Sequence, residues 1–115
     1  MTRIGRAAMV AAGLLAADAG AQDLSEIGNS QSGRELAIKD CRSCHNVGAG
    51  RPKRHEMEGA GAPNFYDIAN MASTTPTSLY VFLHSPHPTM PGIRLDKKES
   101  DDVIAYILSL RRQIN

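Results

Sequence analysis

The sequence predicts an all-α domain of four helices and two long loops. Three observations carry that prediction. Apolar residues recur at helical spacing in four separate stretches, two of those stretches open on clear helix-start signals, and no stretch alternates apolar and polar residues as a half-buried strand would. There is no internal repeat.

The first helix is expected from Ser32 into Cys41, with Leu36, Ala37 and Ile38 apolar and Arg34, Glu35, Lys39 and Asp40 solvated. Residues 46–62 hold Gly48, Gly50, Gly59 and Gly61 among many charges and read as a long loop. A loop of that length in a compact domain usually has a job or wraps something. A short second helix follows Pro63 through Phe65, Ile68 and Ala69. The third starts where Thr75 caps and Pro76 takes the first helical position, and its apolar face is Leu79, Tyr80, Phe82 and Leu83. Ser85-Pro86 and His87-Pro88 end it near His84. Beyond a Pro-bracketed loop through Met90, the last helix opens on a capping box, Asp96 with Glu99. Val103, Ile104, Ile107, Leu108 and Leu110 give it a core face, and Arg111 and Arg112 suit the negative end of its dipole.

The 115 residues suit one domain. The N-terminus has the order of a secretory signal peptide: basic Arg3 and Arg6, an apolar run from Ala7 to Ala17, and a small-x-small ending at Ala21. Eleven apolar residues fall well short of the ~20 that a spanning helix needs. The expected organisation is a signal peptide over 1–21, a loose polar lead-in over 22–31 and one domain over 32–115, with no membrane span in the mature chain. Cleavage after Ala21 leaves 94 residues with 11 basic and 11 acidic side chains. That neutral balance excludes a nucleic-acid binder, which needs a strongly basic surface. With no Trp and five aromatic residues the core is thin, and small domains of this kind often rely on a metal or covalent staple.

Cys41-Arg42-Ser43-Cys44-His45 can supply that staple. Cys-x-x-Cys-His is the attachment pattern for c-type haem. The spacing lets both thiols form thioethers with the two vinyl groups of one haem, and the adjacent imidazole meets the iron from one face. A thioredoxin-like dithiol calls for a βαβ setting, and this chain has no strand pattern. A zinc site needs about four ligands, and no second paired motif is present. A plain disulfide across two residues closes a loop of little entropic value.

On the other face of the haem, Met90 is the expected ligand. It lies 45 residues beyond His45, in a loop stiffened by Pro86, Pro88 and Pro91. A thioether is a weak ligand and needs to be held against the iron; the alternative role for Met90 is filling a core gap. His87, His84, His55, Met57 and Met71 are its competitors, with Met71 read as core and His55 as solvent-facing. A carbonyl in Gly61-Ala62-Pro63 is a candidate acceptor for the second ring N–H of His45, which would fix the ring and raise its basicity. The other reading of Pro63 is a helix-start proline.

These residues resemble the class I cytochrome c family in its small bacterial form. The resemblance runs over Gly33 to Ala37, the Cys41–His45 motif, Gly61-Ala62-Pro63-Asn64-Phe65, Met90-Pro91 and Asp102 to Leu108. It implies the cytochrome c fold, about four helices wrapped around one covalently bound haem. It further implies that Gly33 meets Tyr106 where the first and last helices cross, and that the Pro63 carbonyl accepts from His45. The charged loop Arg51 to Glu58 departs from the family pattern and is read as a solvated face.

The expected function is that of a periplasmic single-electron carrier, not an enzyme, with haem iron held by His45 and Met90. Leu36, Phe65, Leu79, Phe82, Ile104 and Leu108 are expected to wrap the haem and exclude water. A membrane terminal oxidase or a periplasmic dehydrogenase is a fitting redox partner, met through a small transient contact at the haem edge. The alternatives are a haem enzyme or gas sensor with an open iron position, an electron-transfer subunit of a dehydrogenase complex, and a haem-free dithiol protein.

Overall fold

A computed structural model describes residues 24–50, 61–90 and 92–112. The proposed signal peptide, the charged loop, His55 and Met57 lie outside those residues. Four α-helices are present and no strand is found among the described residues: α1 Ser30–Leu36, α2 Phe65–Asn70, α3 Pro76–Leu83 and α4 Lys97–Ser109. No helix there is long and apolar enough to cross a membrane.

Local chemistry explains each start. Thr75 Oγ1 accepts the Ser78 amide at 3.0 Å while Ser78 Oγ accepts the Thr75 amide at 2.9 Å, a reciprocal box with Pro76 behind it. Asp96 and Glu99 do the same for α4 at 2.8 and 2.9 Å. Asn64 caps α2 by accepting the Asp67 amide at 2.7 Å.

The lead-in and the start of α1 differ from expectation. The helix begins at Ser30, because Asn29 caps it by accepting the Ser32 amide at 2.8 Å. Residues 24–29 are not loose: a 3₁₀ turn spans Leu24–Glu26, and the Asn29 amide donates to Asp102 Oδ1 at 2.8 Å. The anchoring carboxylate is 73 residues away, so no local pattern reveals it.

The core is built on the crossing of α1 with α4. A Cβ on Gly33 would lie 1.9 Å from the Asp102 carbonyl oxygen and 2.9 Å from Tyr106 Cβ, so only glycine lets the two backbones approach. Gly28 is also tight, with an added Cβ 2.5 Å from the Asp101 carbonyl. The expected one-sided stripe of α4 proves broader. Every residue from Asp102 to Leu108 is buried, as in a helix surrounded by its neighbours. Arg111 ties the end of α4 to the Ala69 and Thr74 carbonyls around the C-terminus of α2.

α3 departs most from its expected role. Leu79 is buried, but Tyr80, Val81 and Phe82 are 40%, 57% and 46% exposed, because α3 packs chiefly on α4 and leaves these side chains outside the helical core. Met71, expected in the core, is 50% exposed where the chain leaves α2.

Candidate functional site

The Cys41–His45 motif grows directly out of α1. The helix widens into a π turn over Ala37–Cys41, closed by the Arg42 amide donating to the Ala37 carbonyl at 3.0 Å. The Cys44 and His45 amides then both donate to the Cys41 carbonyl, at 3.1 and 2.9 Å. The motif is therefore one tight turn that carries both thiols and the imidazole.

Cys41 is buried, Cys44 is exposed, and both are free thiols. Burial pushes the Cys41 thiol up to about 11, with the Asp40 carboxylate adding to the effect.

His45 Nδ1 donates to the Pro63 carbonyl at 2.6 Å. A carbonyl only accepts, so the proton sits on Nδ1 and the lone pair on Nε2 is left for a metal. The Phe65 ring lies against the imidazole at a centroid distance of 5.4 Å.

Cys41, Cys44, His45, Pro63 and Met90 all line one cleft of about 490 Å³. Ile68, Phe82 and Ile93 supply its apolar wall. A mostly apolar cleft of this size with a few converging polar groups is the usual form of a cofactor site. Two free thiols, one imidazole with an available lone pair and a thioether from the far loop fit a covalently attached, axially ligated haem. Among the described residues no cluster of three or more His, Cys, Asp or Glu side chains stands ready for a metal ion alone.

Of the competing histidines, His84 and His87 lie among the described residues, and each has a hydrogen-bond partner of its own. His84 Nε2 lies 3.0 Å from Ser100 Oγ, and its ring stacks on Tyr80 at 4.2 Å. His87 Nδ1 donates to the Ser85 carbonyl at 2.8 Å, and its ring stacks on Phe82 at 3.7 Å. Neither lines the cleft that holds the cysteines. Of the residues expected to wrap the cofactor, Phe82 is on the cleft wall and half exposed, while Phe65, Leu79, Ile104 and Leu108 are buried in the helical core. Ile93 escaped the sequence reading, since a single aliphatic residue in a loop carries no period.

The family model for cytochrome c matches residues 30–111. Cytochrome c-552 of Bradyrhizobium diazoefficiens is 37% identical over 97 residues, covering 84% of this chain and 79% of that protein. No solved structure matches the chain.

Proposed function

The chain belongs to the cytochrome c family, a small class I c-type cytochrome with one covalent haem c, and on that premise we propose that it is a periplasmic single-electron carrier with His45 and Met90 as axial ligands. The bound haem supplies a one-electron couple between ferrous and ferric iron. The chain's residues do the rest. Cys41 and Cys44 anchor the ring, and the turn between them sets His45 on its surface. The Pro63 carbonyl holds the imidazole in the tautomer that presents Nε2 and raises its basicity. Met90 reaches the same cleft from the loop after α3. Phe82, Ile68 and Ile93 line the wall and keep water from the metal.

The convergence of both cysteines, His45 and Met90 on one apolar cleft carries this reading. With His45 and Met90 both holding it, a haem iron would supply one-electron chemistry with little rearrangement and would offer no position for substrate, which suits a carrier rather than an enzyme or gas sensor. Export fits the leader-like residues 1–21, and the partner is another redox protein, such as a terminal oxidase or a periplasmic dehydrogenase.

The test is the optical spectrum of the oxidised holoprotein, extended into the near infrared. A weak sulfur-to-iron charge-transfer band that disappears in Met90→Ala supports His/Met ligation. A low-spin spectrum lacking that band in the wild type assigns a nitrogen ligand and removes Met90 from the site. A high-spin spectrum moves the function to catalysis or ligand sensing. The mass of the exported holoprotein tests cleavage after Ala21.

A further inference from the structure

The hydroxyl of Tyr106 does something that helix packing does not require. The ring is 5% exposed and its Cβ abuts Gly33, so a phenylalanine would fill the crossing equally well. A buried hydroxyl costs free energy unless it is paired. This one donates to the Val47 carbonyl at 2.5 Å, across 59 residues of sequence. Burial raises its pKa against the opposing pull of Arg34, so it remains a donor throughout the neutral range.

Val47 lies two residues beyond His45, and its surroundings form a closed circuit. The Asn46 carbonyl accepts the Phe65 amide at 2.9 Å, which fixes the start of α2. Two residues before Phe65, the Pro63 carbonyl accepts from His45 Nδ1 at 2.6 Å. The Gly48 amide closes the turn on Asn46 Oδ1 at 3.0 Å. The Phe65 ring stands between the other two, 5.4 Å from His45 and 6.4 Å from Tyr106. Both the loop carrying His45 and the loop carrying its acceptor are therefore referenced to one point on α4.

We propose that Tyr106 is a positioning residue for the proximal histidine: its hydroxyl, through the Val47 carbonyl, holds the His45 ring N–H in register with the Pro63 carbonyl. The proposal rests on the reading of His45 as an axial ligand. A firmly held N–H bond makes the imidazole a more basic ligand, and a more basic ligand favours ferric iron. Releasing the loop weakens that bond and raises the reduction potential.

The experiment is Tyr106→Phe in the holoprotein, which keeps the ring and removes only the oxygen. Proton NMR of the reduced form follows exchange of the His45 ring N–H with solvent, and potentiometry follows the couple. The expected result is exchange faster by about fivefold, the equivalent of one ordinary hydrogen bond, with a higher potential. A lower unfolding midpoint with unchanged exchange and unchanged potential means that Tyr106 only packs, and overturns the proposal. Asn46→Ala loosens the same loop while leaving the helix crossing intact. It decides the matter where Tyr106→Phe yields no holoprotein: faster exchange and a higher potential support the proposal, and wild-type values overturn it. Wild-type spectra lacking coordinated-imidazole signals from His45 defeat the ligand assignment itself. Normal wild-type signals that neither substitution moves defeat only the role of Tyr106.

Discussion

The α1–α4 crossing and the α3 side of the cleft are held together by different means. At the crossing, glycine lets one backbone lie against another, and the surrounding Ala37, Val103, Ile104 and Ala105 are 2% exposed or less. On α3 three successive large side chains stand 40–57% exposed, and order comes from a capping box and two ring stacks. The first region has no room to yield, since close-packed interiors transmit strain. The second tolerates change in its chain, and its side chains act on what the cleft holds. Substitutions at the crossing are therefore read in unfolding free energy, and those on the cleft wall in spectrum and potential.

The strongest way to break that comparison is Gly33→Ala. One added methyl carbon overlaps the Asp102 carbonyl, and the helices part or fail to dock. The expected loss is about 3 kcal/mol or more, measured by urea unfolding of the holoprotein. Wild-type stability in this variant means that the approach is looser than the structure has it.

Next is Asp102, whose side chain is 8% exposed and accepts from the Asn29 amide at 2.8 Å and from Lys98 Nζ at 2.6 Å. Burial alone would raise its pKa. The hydrogen bonds from Lys98 and Asn29, helped by the Lys98 charge, outweigh burial and hold the carboxyl below its ordinary value of 3.8. A depressed folded-state value stabilises the fold above the unfolded value, and that stability is lost as pH falls through the folded one. Asp102→Asn is expected to cost roughly 2 kcal/mol at pH 7. The gap between variant and wild type should close below the ordinary value, which urea titrations from pH 6 down to 2 will read. A gap that persists at pH 2 excludes ionisation as its source.

Smaller effects belong to α3. Thr75→Ala removes one half of the capping box and should cost about 1 kcal/mol, seen as a lower thermal midpoint. Val81→Ser, at a position 57% exposed, should change stability by no more than about 0.5 kcal/mol. A large loss at Val81 would mean that the outer face of α3 is covered, and would erase the contrast with the crossing.

Legibility in the sequence follows the same division. The third and fourth helices announce themselves through Thr75-Pro76 and Asp96/Glu99, because caps act over three residues. The Cys41–His45 motif is likewise complete within five residues. The start of α1 lies at Ser30 rather than the expected Ser32 because its cap, Asn29, is itself held by a distant carboxylate. Tyr80 and Phe82 belong to the apolar face that helical spacing predicts for α3, but spacing marks such a face without saying what lies opposite it. That Met90 lines the cysteine cleft and His84 and His87 do not is a matter of packing, which no local pattern reveals.

The sequence by itself determined the helical class, the caps of α3 and α4, the haem-attachment motif and the order of the site residues. All of these are set by groups a few positions apart, where backbone geometry alone dictates who meets whom. Tertiary structure decided which apolar faces are covered, that Gly28 joins Gly33 against α4, and that Tyr106 reaches the loop behind His45. Those contacts join residues 59 to 74 positions apart, and only the packed chain brings such partners within van der Waals or hydrogen-bonding reach.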